Sequence, residues 1–271
     1  MSEDFLLDRL LKSSFKLLTT RVLEWVLYSL ALAVILSIVN FLLIQKLASE
    51  FIPTIASIKT LNFDENTILP ILQLIALKLG SILGLILFSN FMITNIFELV
   101  LIQKTDSWIK EKNVEIEAII QASLSRLLIS TILQIFSFLV SILSLLFCIL
   151  PYFLWGTVTI FLNQIIVIEN KNFDAIQENF KLSKKHFITL LLIPIIFSIF
   201  IQIGNVFPFY FIKFLGDLGL FAFSGSEFDL LNFLQSPLLL LAIFPTVSFY
   251  SIISVLKTIL YTNAYYECKN S

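Results

Sequence analysis

The sequence predicts an all-α polytopic membrane protein: six transmembrane helices arranged as three hairpins, each preceded by a cytoplasmic interfacial amphipathic helix. Three observations carry this expectation. The 271 residues are 58% hydrophobic and only 14% charged, with a mean hydropathy of +0.95, well above an ordinary water-soluble domain. Five stretches contain no Asp, Glu, Lys or Arg: Trp25 to Gln45, Leu79 to Phe97, Leu127 to Ile168, His186 to Ile212 and Leu230 to Leu256. About 20 apolar helical residues cross a hydrocarbon core. The third stretch is twice that length with Pro151 near its middle, so it reads as two spans joined by a tight turn. Finally, the cations are unevenly shared. With a cytoplasmic amino terminus, only Lys46, Lys59, Lys78 and Lys213 of the 18 Lys and Arg fall on the outer side. That bias orients a multispan protein with both termini in the cytoplasm.

The elements follow in order. Residues 3–20 place Leu7, Leu11, Phe15 and Leu18 on one helical face, with Asp8, Arg9, Lys12 and Lys16 elsewhere, as in an interfacial helix. The apolar run 25–45 is too long for a signal peptide and lacks a small-residue cleavage pattern, so it is expected to remain as the first span. A loop from Lys46 to Thr67 leads to a second span at 75–102, where Ala76, Gly80 and Gly84 make a flat stripe for close helix approach. Residues 114–126 form a second interfacial helix carrying Ile116, Ile119 or Ile120, and Leu124. Spans 128–149 and 152–168 turn at Pro151, with Tyr152 and Trp155 at the outer interface. The third interfacial helix, 172–186, sets Phe173, Ile176, Phe180 and Phe187 against the basic Lys181, Lys184 and Lys185. The fifth span, 188–206, contains Pro194 and an expected kink. An outer loop, Phe207 to Ser236, precedes the last span at 238–261, which includes Pro245 and ends in a polar tail. The whole chain, 1–271, is thereby one six-span membrane domain.

Aligning Phe15 with Phe180 superposes Ser14-Phe15-Lys16-Leu17 on Asn179-Phe180-Lys181-Leu182, each in an amphipathic helix leading into a span. The segment from Ala118 to Arg126 holds the equivalent place with a weaker match. The pattern implies three like-oriented units, since an even number of spans separates them.

At Ile168-Glu169-Asn170, Ala175-Ile176, Asn179-Phe180-Lys181-Leu182 and Phe187, the chain resembles the YciC-like bacterial membrane family. That family is related to the membrane domain of glycerophosphoryl diester phosphodiesterase. The resemblance implies six spans over nearly the whole chain and singles out Glu169, Asn170, Ala175, Phe180 and Leu182 as motif positions. Asn179 stands where the family favours Ser, and Lys184 where Gly is common. The soluble barrel that carries phosphodiesterase chemistry in fused relatives has no counterpart here, so the resemblance does not imply an enzyme.

Chemistry-bearing residues are scarce. His186 is the only histidine, beside Lys184 and Lys185, and reads as an interfacial base without a catalytic partner. Cys148 and Cys268 fall too far apart in the topology to pair, and with one histidine they assemble no zinc site. No catalytic residue, cofactor or metal is expected, and the net charge of -1 carries no basic stripe for nucleic acid. Glu24, Lys78, Glu98 and Lys257 lie at span edges and read as snorkelling anchors. Asn90, Asn95 and Gln134 read as interhelical hydrogen-bond glue. Asn163, Gln164, Gln202 and Asn205 are the candidates for a polar pathway or for the same glue, and Asn170 or Asn172 is expected to cap the third interfacial helix. The functional expectation is a non-enzymatic scaffold or lipid-interacting accessory factor of the bacterial inner membrane. Its partners would be membrane lipids, anionic cytoplasmic headgroups and a membrane protein; a transporter or channel for a small solute or lipid, built from three similar hairpins, is the alternative.

Overall fold

In the computed structural model the described residues are 3–59, 65–147, 149–217 and 237–270, and every regular element among them is a helix. In chain order these are α1 (Glu3–Thr20), α2 (Val22–Lys59), α3 (Glu65–Ile109), α4 (Ile116–Phe147), α5 (Ile149–Val158), α6 (Leu162–Ile168), α7 (Asp174–Lys185), α8 (Phe187–Asp217) and α9 (Leu238–Asn270). Four stretches are long and apolar enough to cross a membrane: Val22–Glu50, Ala76–Ile109, Ile116–Ser144 and Leu239–Asn270. A fifth is added if α7 and the start of α8, joined through a 102° bend, are taken together. Only 11% of the apolar window of α4 is buried, and Leu128, Phe138 and Leu143 lie on its exposed surface. In water such a face would drive aggregation, whereas lipid tails solvate it. Several such helices make this a multi-pass membrane protein.

The helices overrun the spans expected from charge. At 1.5 Å per residue, α2 is about 57 Å long and α3 about 68 Å, well beyond a hydrocarbon core of about 30 Å. The polar stretch after Gln45 was expected to be loop, yet α2 continues to Lys59. Lys, Leu, Ala, Ser and Glu there are adequate helix formers, and leaving the apolar zone does not oblige a helix to stop. Residues 114–126 likewise do not form a separate helix. From Ile116 they are the first turns of α4, which contains no Gly or Pro to break it. The expected tail after Tyr261 is the last part of α9. Pro151 sits in the first turn of α5, where its missing N–H has no intrahelical acceptor to lose. The outer loop is helical as far as Asp217, and positions 218–236 lie outside the described residues, as does Cys148.

The chain divides into two compact units, Met1–Leu30 with Thr94–Ile203 and Tyr250–Ser271, and Ala31–Ile93 with Gly204–Phe249. In the second unit, Asn90 on α3 donates to the Asn40 side-chain oxygen on α2 at 2.8 Å, and Leu32, Leu36 and Ile82 are buried. Among the described residues, the expected small-residue stripe brings in no neighbour. Ala76, Gly80 and Gly84 are exposed, and a Cβ on either glycine would meet nothing within 4 Å. Small residues permit close approach, but larger contacts elsewhere decide where helices meet.

The first unit is organised around α6. Every residue from Phe161 to Val167 is buried, and Leu6 and Leu10 of α1, Leu133 of α4, Leu190 of α8 and Tyr265 of α9 join the same cluster. The expected span at 152–168 is thus two helices, α5 and α6, interrupted at Thr159–Phe161. The interruption has a specific partner in α7. The Asn179 side-chain oxygen accepts the Phe161 N–H at 3.1 Å, and its amide donates to the Val158 carbonyl at 2.5 Å. A backbone break among apolar groups is tolerable only when the freed donors and acceptors find partners inside the protein. Helix α7 packs against α5 and α6, while α4 packs against the same two. The sharp bend after α7 lies at His186, whose carbonyl accepts from the Leu190 N–H at 3.0 Å; α8 runs unbroken through Pro194.

On this face of α7, Asn179 and Ser183 make opposite predictions. Asn179→Leu leaves the buried Phe161 N–H and the half-buried Val158 carbonyl unpaired and is expected to destabilise the protein by about 3 kcal/mol. The Ser183 hydroxyl is buried without a hydrogen-bond partner among the described residues, so Ser183→Ala is expected to be neutral or mildly stabilising. Thermal unfolding in neutral detergent micelles distinguishes them; equal loss in both variants would contradict the role assigned to Asn179.

Candidate functional site

Two polar assemblies stand out in the first unit, one between helices and one around the end of α9. The first is centred on Asn95 of α3, which is 1% exposed. Its side-chain oxygen accepts from Ser130 and from Gln134 of α4, each at 3.0 Å, and its amide donates to the Thr131 hydroxyl at 3.0 Å. Ser130 lies 3.0 Å from the Asn163 oxygen, and the Asn163 amide donates to Glu98 at 2.9 Å. Three helices, α3, α4 and α6, are thus stitched by side chains whose alternative in an apolar setting is to stay unpaired. Asn163 was open between glue and a polar pathway, whereas Asn95 and Gln134 were legible as glue. Ser130 and Thr131 were not, because a hydroxyl in a span ordinarily bonds its own helix.

The pathway candidates differ in burial where their side chains are described. Asn163 and Gln164 are both buried on α6, and neither side-chain polar atom of Gln164 has a partner among the described residues. Gln202 is exposed on α8, and the side chain of Asn205 lies outside the described residues.

The second assembly gathers the motif residues Glu169 and Asn170. Glu169 closes α6, and Asn170 follows with φ 60°, the left-handed conformation that ends helices and that Asn tolerates better than most residues. Asn170 therefore stops α6. The cap position of α7 is held by Phe173, with no side-chain hydrogen bond, in place of Asn170 or Asn172. The turn exposes one Glu169 oxygen to Lys171 at 2.8 Å and the other to Lys269 at 2.5 Å, and the Tyr265 hydroxyl also donates to Glu169. Burial alone would raise the carboxyl, but the bonds from Lys171, Lys269 and Tyr265 outweigh it and hold it at about 2.

The rest of the α9 end reaches further elements. Asn263 donates to Ser13 and Ser14 of α1 at 2.7 and 2.8 Å. The Tyr266 hydroxyl donates to Asp106 near the end of α3, and Glu267 lies 3.8 Å from Arg9. Sequence reasoning read this segment as a tail. The signal was available in Val255, Ile259, Thr262 and Tyr265 or Tyr266, which continue the helical spacing past the expected end.

The other motif residues separate by face. Ala175 is fully buried with Asn179 and Ser183, and Leu182 is half-buried against the core. Phe173 and Phe180 are exposed, as are Lys181, Lys184 and Lys185. His186 is buried at the bend, although the sequence placed it among interfacial bases. Of the span-edge ions, Glu24 is held by Arg21 at 2.9 Å and by the Trp108 indole at 3.1 Å, and Lys257 lies over the Tyr261 ring. Trp155 donates to Ser137 of α4 at 3.1 Å, so it ties α5 to α4.

A carboxyl whose folded value is depressed contributes stability above its unfolded value, and that contribution is lost as pH falls through the folded one. The thermal midpoint is therefore expected to fall between about pH 4.5 and pH 2 as the Glu169 cluster is protonated. Glu169→Gln is expected to cost about 1–2 kcal/mol at neutral pH and to flatten that acid dependence. An unchanged slope in the variant would remove Glu169 as its source. Asn95→Leu, which deletes the junction of the interhelical network, is expected to cost about 1–2 kcal/mol in the same assay.

No family model, curated protein or solved structure matches the chain.

Proposed function

We propose that the protein is a non-enzymatic six-span scaffold or lipid-interacting accessory factor of the bacterial inner membrane, with both termini cytoplasmic. Its three hairpins follow cytoplasmic amphipathic segments that hold the inner leaflet. The observation that carries this reading is a shared burial pattern. In α1, Leu10 and Ser14 are buried and Phe15 is exposed, followed by Lys16. In α4, Ile119 and Ser123 are buried and Leu124 is exposed, with Arg126 two residues on. In α7, Ala175 and Asn179 are buried and Phe180 is exposed, followed by Lys181. Each segment puts a small polar residue inward and a large apolar residue outward beside a cation, the arrangement of a surface meeting acyl chains and headgroups together. This register, Ser14 with Ser123 and Asn179, also supports the threefold repeat. Engagement of Asn163 with α3 and α4 weighs toward a structural role for the span amides and against a solute pathway.

A photoreactive residue at Phe15, Leu124 or Phe180 is expected to give phospholipid adducts in native membranes, whereas one at Ser14 or Asn179 gives only crosslinks within the protein. Absence of lipid adducts at all three exposed positions would remove the interfacial reading. Reporter fusions after Asn113 and after Asn172 are expected to report the cytoplasm, and an external location for either would overturn the six-span topology.

A further inference from the structure

Within the first unit lies a polar basin of about 930 Å³, comparable in size to small-molecule sites. Lys16 and Thr20 of α1, Arg21 and Glu24 at the α1–α2 junction, and Lys104 and Trp108 of α3 contribute to its wall. The α3 terminus supplies one more cation through its geometry. Glu111 adopts φ 53°, its N–H bonds to the Trp108 carbonyl, and the Lys112 N–H bonds to Ser107 at 2.9 Å. This left-handed helix ending turns the chain back and places Lys112 on the basin wall.

The charge distribution favours an anion. Glu24 is shared by Arg21 at 2.9 Å and Lys104 at 3.6 Å, so that carboxylate is already neutralised. Glu267, also on the wall, is faced by Arg9 from outside it at 3.8 Å. Glu111 is exposed on the turn. The ammonium groups of Lys16 and Lys112 have no ion-pair partner among the described residues and are the uncommitted cations of the wall. Lys16 also follows Phe15, which is 70% exposed, with Leu11 exposed one turn earlier. A cationic hollow beside an exposed apolar strip matches a ligand with an anionic head and an acyl body.

We propose that this basin binds the phosphate of an anionic phospholipid, with Lys16 and Lys112 contacting it and Glu24 holding Arg21 and Lys104 in position. The proposal rests on the membrane-interface reading above and gives it a discrete site. The test titrates the full-length protein in neutral detergent with phosphatidylglycerol, phosphatidylcholine or glycerol 1-phosphate, and reads bound lipid by native mass spectrometry. Phosphatidylglycerol is expected to bind saturably and phosphatidylcholine is not. Lys16→Gln or Lys112→Gln is expected to weaken binding about fivefold, and the double variant about thirtyfold. Both lysines are exposed, so the variants should fold, and their thermal midpoints check this. Lys213→Gln, an exposed cation that is not on the basin wall, is expected to leave phosphatidylglycerol binding unchanged. Equal affinity in the wild type and the Lys16/Lys112 double variant would overturn the site. Lipid adducts at Phe180 would in that case persist and leave the broader reading standing, whereas their loss would count against that reading alone. Displacement of phosphatidylglycerol by equimolar glycerol 1-phosphate would assign the basin to a free phosphate and overturn the lipid assignment.

Discussion

Interrupting a helix between Val158 and Leu162 frees backbone groups in largely apolar surroundings, and the Asn179 amide engages one group on each side of the gap. Much of the first unit depends on that substitution of side chain for backbone. It accompanies the burial of α6, and it fixes α7 against both α5 and α6. Once α6 is interior, Asn163 can meet Ser130 and Glu98, and Glu169 at its end can meet Lys269. A hydrophobic residue at 179 would pack there but would leave the gap unsatisfied, which is why a polar side chain sits on an otherwise small, buried face.

The polar groups then divide by what surrounds them. Between helices, neutral amides and hydroxyls around Asn95 make short bonds without bringing many charges into the apolar zone. At the α9 end, charged groups take over: Tyr265 and Lys269 bond Glu169, Tyr266 bonds Asp106, and Glu267 faces Arg9. Tyrosine suits this boundary because its ring packs with apolar neighbours while its hydroxyl reaches an ion. The Phe161 and Tyr265 rings meet edge to face at 5.8 Å, which joins the apolar core directly to the Glu169 cluster. The same helix end therefore couples α1, α3 and the α6–α7 turn.

Amphipathic segments of this kind present three faces. One packs inward on small residues, a second is apolar and exposed, and a third is cationic; α7 shows all three within twelve residues. A two-sided reading of such a helix, apolar against polar, identifies the lipid-facing side and overlooks the packing side. That is why the Phe180 face was evident from spacing, while the Ala175, Asn179 and Ser183 face emerged only from burial. In the proposed role, the exposed face and the cations meet the leaflet while the small face transmits its position to α5 and α6.

By itself the sequence determined the helical class, the apolar segments and the outward positions of Phe15 and Phe180, because these follow from composition and from periodicity along a single helix. It read Asn95 and Gln134 as interhelical glue, since an amide in an apolar span must find a partner, and left Asn163 open between glue and a polar pathway. Tertiary structure decided where helices end, that α5 and α6 are separate, that Gly80 and Gly84 face no neighbour among the described residues, and that Asn163 and Gln164 are buried while Gln202 is exposed. Those outcomes depend on contacts between residues far apart in the chain, and in lipid the uniform greasiness of every segment removes the inside-outside contrast that would have announced them.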